Sequence, residues 1–209
     1  MSWWTRHFGG TTRGRIVALL RRGARSVEDL AAALDLTDNA VRAQLVTLQR
    51  DGVVAPVGIR REGTVGKPAT EYGIAPDAGT LFSSAYAPVL VTLLDVLGER
   101  HTRQELVSLM RTVGRRLAPD EVTKGPLEKR AKAAVALLGE LGGDAELVAV
   151  DGGYDVRGHG CPLASAVVGH PETCRAVETL LSEATGTTVR EHCDRSSGSP
   201  CCRFSITAA

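Results

Sequence analysis

Apolar residues recur at three- and four-residue steps through the first fifty positions, in three short runs broken by polar and glycine punctuation. Ile16, Val17, Leu19 and Leu20 share one broad face behind Thr11 and Thr12, either of which can cap a helix, and Gly23 supplies a stop. Ser26-Val27-Glu28-Asp29 sets a hydroxyl three residues ahead of an acid, a capping-box start for a helix that turns Leu30, Ala31 and Leu34 inward. Asp35-Leu36 reads as a tight connection. Thr37 caps the next helix, whose Ala40, Val41, Leu45 and Leu48 repeat up to Asp51-Gly52. The period then switches from helix to strand. Residues 53–60 read as a strand, Arg61-Glu62-Gly63 as a turn, and residues 69–74 as a returning strand.

Two short helices joined by a turn, the second with a polar outer face, form a helix-turn-helix, and the hairpin after them is its wing. The outward positions of the second helix are Asp38, Asn39, Arg42, Gln44, Thr47 and Arg50. Arg and Gln carry donors for guanine and adenine edges, so Arg42 and Gln44 are the candidates for base contacts, with Thr37 and Asn39 at the backbone and Arg50 beside them. A polar face alone is more often just solvated; the wing directly behind it changes that weighting. Arg60, Arg61 and Lys67 decorate the wing, and Gly63 and Gly66 give its tip the freedom to approach a groove.

Helical spacing continues through the middle. Residues 81–97 carry Leu90, Leu93, Leu94 and Leu97, residues 104–117 carry Leu106, Leu109, Met110 and Val113, and Pro126 opens a third helix with Leu127, Ala131, Ala134, Leu137 and Leu138. Pro88 either kinks the first of these or marks its true start. Beyond them, residues 146–150 and 154–157 read as a hairpin around Asp151-Gly152-Gly153, Pro171 opens a helix, and residues 187–192 and 201–207 read as strands. The pattern predicts an α+β chain in three parts: a winged-helix DNA-binding domain (1–76), a helical dimerisation segment (77–142) and a small α/β cysteine-rich sensor domain (143–209).

Charge sharpens the division. Residues 1–76 hold 11 Lys/Arg against 7 Asp/Glu, and residues 77–209 hold 14 against 17, so a basic front precedes a mildly acidic back. That asymmetry suits a protein meeting double-stranded DNA with one end only. No leader-like start and no apolar run of membrane-spanning length occur, which predicts a cytosolic protein without a membrane partner. No phosphate-loop fingerprint occurs. His159 near Cys161 and His192 beside Cys193 are too close in sequence to form a nucleophile–base pair, so no catalytic residues are expected and the chain is not an enzyme.

All five cysteines, Cys161, Cys174, Cys193, Cys201 and Cys202, fall in the last 49 residues. In a cytosolic setting, clustered cysteines bind metal or do redox chemistry more often than they form disulfides. Intervals of 12, 18 and 8 residues separate Cys161, Cys174, Cys193 and Cys202, and none is a compact zinc-ribbon or ferredoxin step. Strand alternation puts Cys202 on a face with Phe204 and Ile206, and Cys201 on the other with Arg203 and Ser205. Cys202 is therefore the better metal ligand and Cys201 an outward neighbour.

Several strings carry a family resemblance. Thr37-Asp38-Asn39-Ala40-Val41-Arg42, Leu48-Gln49-Arg50-Asp51-Gly52-Val53 and Gly66-Lys67-Pro68 with Tyr72 resemble winged-helix regulators of the ArsR and DeoR groups. Within them the chain looks most like SufR-type repressors. Cys161-Pro162-Leu163, His170-Pro171-Glu172 before Cys174, Cys193-Asp194-Arg195 and Cys202-Arg203-Phe204 resemble the iron–sulfur module of the same regulators. The resemblance implies a homodimeric repressor that binds a [4Fe-4S] or [2Fe-2S] cluster through Cys161, Cys174, Cys193 and Cys202 and controls cluster-assembly genes. The adjacent Cys201-Cys202 leaves the fourth ligand open among Cys193, Cys201 and a non-cysteine group. A zinc-stabilised regulator and a thiol–disulfide switch remain the alternatives.

Overall fold

A computed structural model describes residues 8–61, 68–195 and 200–209. The chain divides into two compact units, Met1–Tyr86 and Ala87–Ala209.

In the first unit, α1 (Thr12–Leu20) starts where the Thr11 hydroxyl accepts from the Gly14 N–H. Helix α2 (Val27–Leu34) has the full capping box, Ser26 and Asp29 each accepting the other's backbone N–H. It stops at Asp35, whose φ of 55° is a left-handed turn that a short acidic side chain tolerates. Thr37 caps α3 (Asp38–Arg50) by accepting from the Ala40 N–H. Strands β1 (Val54–Arg60) and β2 (Ala69–Ile74) pair antiparallel, with an irregularity between Pro56 and Gly58 where proline has no N–H to give the ladder. Reciprocal backbone bonds between Arg25 and Tyr72 tie the α1–α2 connection to β2.

Ile16, Val17, Leu20, Leu30, Leu34, Val41, Leu45, Leu48, Val53 and Val54 fill one core among these elements. Each such side chain contributes about 1.5–3 kcal/mol on burial, which makes the three helices and the strand pair mutually dependent. A 3₁₀ segment, Pro76–Phe82, follows β2 and packs Phe82 against this core, with the Arg21 guanidinium 5.1 Å from the ring centre.

In the second unit, α4 (Tyr86–Arg100) begins five residues later than the apolar spacing indicates. Pro88 lies in its first turn, where a missing N–H leaves no helical bond unmade. A Thr102–Glu105 capping box opens α5 (Arg103–Leu117), and Pro126 precedes α6 (Leu127–Glu140). Then come β3 (Ala145–Val150), β4 (Gly153–Gly158), a short α7 (Ala164–Val167), α8 (Cys174–Thr185), β5 (Thr187–Glu191) and β6 (Arg203–Ala208). The last strand starts two residues after the position its sequence alternation indicates, so Cys201 and Cys202 form its lead-in.

The four strands make one antiparallel sheet in the order β3-β4-β6-β5. Val156, Val189, Phe204 and Ile206 meet Ala131, Ala134 and Leu138 of α6 and Val177 and Leu181 of α8. Helix α5 crosses α8 at backbone distance through Gly114, where a Cβ would stand 2.3 Å from the Ala176 carbonyl oxygen. Among the described residues, no single helix is long and apolar enough to cross a membrane.

Candidate functional site

The reading edge of the first unit is built on α3. Its apolar stripe, Val41, Leu45 and Leu48, is buried, which turns Asn39, Arg42 and Arg50 to solvent. Thr37 is exposed and spends its hydroxyl on the cap. Gln44 is half-buried, and its Oε1 accepts from Arg13 Nε at 3.1 Å, which brings an α1 cation onto the same edge. Arg13 escapes a motif search because it lies 31 residues away and only the α1–α3 packing joins the two. Arg50 lies against Asp51 at 3.1 Å. Arg42 lines a cleft of about 330 Å³ with Ser26, Glu28, Pro68, Thr70 and Tyr72, between the α2 start and the foot of the wing.

The wing arginines differ from one another. Arg61 is exposed. Arg60 donates to both carboxylate oxygens of Asp29, at 2.9 and 3.1 Å, and to Ser26 Oγ at 3.4 Å. It therefore braces the end of β1 against the start of α2. Lys67, with Glu62, Gly63 and Gly66, lies outside the described residues.

The brace has a testable pH dependence. The Arg60 guanidinium, and then the Ser26 N–H, hold Asp29 down to about 2 from its usual 3.8. A carboxylate depressed in the folded state stabilises fully above 3.8, and that contribution fades as pH falls toward 2. Both partners are about a third exposed, so the effect at neutral pH is about 1 kcal/mol. Asp29→Asn should lower the stability of the N-terminal unit by that amount in denaturant melts at pH 7. The difference from the parent should close as pH approaches 2; a difference independent of pH would refute the brace.

In the second unit, antiparallel pairing explains which residues meet. Because β6 runs against both β4 and β5, its start shares one sheet end with the tails of its neighbours: Arg157 pairs with Arg203, and Glu191 with Phe204. Cys161 follows β4, Cys193 follows β5 and Cys202 leads into β6. Helix α8 turns back into β5 through Gly186, at a positive φ of 59°, so its first residue, Cys174, returns to that same end. Four segments far apart in sequence thus deliver four sulfurs to one place.

The thiols of Cys161 and Cys202, of Cys202 and Cys193, and of Cys193 and Cys174 are hydrogen-bonding neighbours. Cys174 and Cys202 are buried, and the others are partly so. The bond with Cys202 lowers Cys161. The bond from Cys161, together with burial, pushes Cys202 up to about 12. At Cys193 the Cys174 bond lowers the thiol, but Cys202 and burial outweigh it and push it to about 12. Cys174 is raised by Cys193 and by burial. The Arg203 N–H donates to Cys193 Sγ at 3.3 Å.

Such a donor set suits soft metals: converging sulfurs, one at a helix start and others among apolar side chains, can hold zinc or an iron–sulfur cluster. Cys201 is half-buried, pairs through its backbone with Asp194, and lines a cleft of about 370 Å³ with Cys202, Arg157, His192 and Arg203. His159 is exposed, and His192 Nε2 lies 3.0 Å from Ser205 Oγ. Sequence reading passed over Glu191 and Arg175. A Glu191 carboxylate oxygen lies within 4.8 Å of both the Cys174 and Cys193 sulfurs. The available signal was Glu191 itself, a charge in phase with the inward positions Thr187 and Val189 of β5.

A winged helix-turn-helix with an exposed arginine-bearing α3 defines a DNA-binding transcriptional regulator, not an enzyme. Residues 10–55 match the family described as bacterial regulatory protein, arsR family. The N-terminal unit belongs to that family.

Among solved structures, the chain is similar to Rv0081 of M. tuberculosis at 33% identity, covering 46% of this chain and 88% of that one, with a TM-score of 0.29. It is similar at 29% identity to the homodimeric winged helix-turn-helix DNA-binding domain of Mb0332 from Mycobacterium bovis, a possible ArsR-family transcriptional regulator. That match covers 47% of this chain and 81% of that one, with a TM-score of 0.29. Reduced HlyU from Vibrio cholerae N16961 is 24% identical over 36% of this chain and 73% of its own, with a TM-score of 0.28. No curated protein matches the chain.

Proposed function

We propose that the chain is a homodimeric repressor that binds an operator through paired α3 helices and senses an iron–sulfur cluster at Cys161, Cys174, Cys193 and Cys202. Control of cluster-assembly genes belongs to the same reading, on the strength of the resemblance to SufR-type regulators. The observation that most supports it is the convergence of four thiols at one sheet end, in a chain whose other unit is a DNA reader.

When bound, a cluster would supply oxygen- and redox-sensitive chemistry at these four residues. Cys161 then anchors the tail of β4, Cys193 the tail of β5, Cys202 the start of β6 and Cys174 the start of α8. His170 carries this order onward. Its Nε2 lies 3.0 Å from Asp95 Oδ1 on α4, and its Nδ1 3.4 Å from Glu172 Oε1, just ahead of Cys174. Helices α4 and α5 leave Tyr86, Val89, Leu93, Val96, Val113 and Leu117 exposed. These are apolar faces for a second copy to cover, and two-fold pairing sets half-site spacing. A tenfold change in operator affinity needs about 1.4 kcal/mol of coupling, well below what metal-linked folding supplies.

Zinc is the second reading, because four converging thiols also suit a tetrahedral structural site. Anaerobic reconstitution with iron and sulfide separates the two. The expected product is brown, contains iron and sulfide, and differs at least tenfold from metal-free protein in operator affinity. A colourless zinc protein would establish the second reading. Operator binding that follows oxidant and reductant without metal would mark a thiol switch and end both.

A further inference from the structure

A partly buried charge network stands beside Cys174 and Cys193, and it sorts the roles of the charged residues there. The Glu191 side chain is only 3% exposed. Its Oε1 accepts from Arg195 Nη2 at 2.7 Å and from the Cys193 N–H at 2.6 Å, and its Oε2 from Arg175 Nη2 at 2.6 Å. Arg175 also donates to Glu178, which accepts from the Glu191 N–H at 2.8 Å.

Glu191 is close enough to Cys174 and Cys193 to pass for a metal ligand. Its lone pairs are committed elsewhere. Coordinating a metal would take the carboxylate from two guanidinium groups and a backbone donor, leaving Arg195 and the Cys193 N–H without that acceptor and Arg175 with Glu178 alone. Glu191 is better placed as an anchor. What it anchors is Arg195, whose guanidinium it holds at 2.7 Å on the carboxylate that lies within 4.8 Å of the Cys174 and Cys193 sulfurs.

We infer that Arg195 is a charge-compensating, positioning residue of the sulfur site: Glu191 fixes its guanidinium beside the Cys174 and Cys193 sulfurs, and it favours the reduced form of a cluster held there. The physical reason is asymmetric. Reduction adds negative charge to the cluster and its thiolates, so a fixed cation beside them stabilises the reduced form more than the oxidised one. Arg175, itself held by Glu178, balances the charge of Glu191 from its other side and keeps the carboxylate from swinging toward the sulfurs. The inference rests on the cluster reading above and adds to it a fixed cation beside the sulfurs that is not itself a ligand.

The test compares parent, Arg195→Gln, Arg195→Lys and Glu191→Gln proteins, reconstituted anaerobically with iron and sulfide and titrated with dithionite while the visible spectrum is followed. Arg195→Gln should keep the cluster and titrate at a more negative potential, by a tenfold or larger change in the reduction equilibrium, which is 59 mV for a one-electron couple. Arg195→Lys should lie between it and the parent. Glu191→Gln should retain iron. Parent and Arg195→Gln proteins with the same potential overturn the inference alone. So does a Glu191→Gln protein without iron beside an Arg195→Gln protein that holds it, since Glu191 is then the ligand. If Arg195→Gln takes up no iron, the lysine variant decides: parent-like loading supports a required cation, and equal loss overturns it. A parent that takes up no cluster overturns this inference and the proposed function together.

Discussion

Serine at Cys161, Cys174, Cys193 or Cys202 should reduce the iron bound on anaerobic reconstitution to background and leave the protein colourless. Serine at Cys201 should leave both iron and colour unchanged. Each of the four sulfurs is a hydrogen-bonding neighbour of at least one other, and together they form a sequence from Cys161 through Cys202 and Cys193 to Cys174. Removing any member breaks the set. A serine oxygen is a harder donor than a thiolate, and the neutral hydroxyl does not replace the lost charge, so shape is kept while affinity is lost. Cys201 is the internal control, one residue from Cys202 and in the same backbone lead-in to β6. Loss of colour in Cys201→Ser with retention in Cys202→Ser would exchange their roles. Retention in every single variant would remove the cluster from the account. Far-ultraviolet dichroism of each metal-free variant separates loss of ligand from loss of fold.

The two ends of the chain are unequally legible in the sequence. Local rules suffice for the reader. A hydroxyl three residues before an acid at Ser26, a threonine before an amphipathic run at Thr37, and a change from helical spacing to a strand pair after Gly52 each depend on neighbours within a few positions. The sulfur site depends on strand order instead. Cys161 and Cys202 are neighbours because β6 inserts between β4 and β5, and Cys174 joins them because α8 reverses into β5. No spacing rule encodes that, which is why intervals of 12, 18 and 8 residues carry so little signal by themselves.

Side-chain pairing was the least readable layer. Arg60 counts as a wing cation in the sequence, yet in the fold it is engaged with Asp29 across 31 positions. Arg13 reaches Gln44 over the same interval. Burial on the last strand, in contrast, followed alternation even though the strand itself begins at Arg203. Cys202 is buried with Phe204 and Ile206, while Arg203 is exposed.

Arg42→Ala should weaken operator binding by 10- to 100-fold or more while leaving binding to unrelated DNA nearly unchanged. Arg42 is exposed on α3, in the first turns past the Thr37 cap and about a quarter turn round the helix from the buried Val41, Leu45 and Leu48, where a helix seated in the major groove presents its first base-reading side chains. A bidentate arginine–guanine contact carries about 1–3 kcal/mol of discrimination, and a two-fold dimer loses it at both half-sites. Non-specific binding rests on phosphate neutralisation, to which one arginine among many contributes little, so the salt dependence should be preserved. Asn39→Ala and Arg61→Ala give the contrast. Contacts to the backbone should lower affinity for all sequences alike, and loss of the cationic Arg61 should also flatten the salt slope by about one unit. If Arg42→Ala behaves as Arg61→Ala is expected to, with equal losses on operator and random DNA and a flatter slope, Arg42 contacts phosphate. Base reading then passes to Gln44 and its partner Arg13. Those two share a hydrogen bond at 3.1 Å, so Gln44→Ala would release Arg13 as well, and the double variant would show less than additive loss.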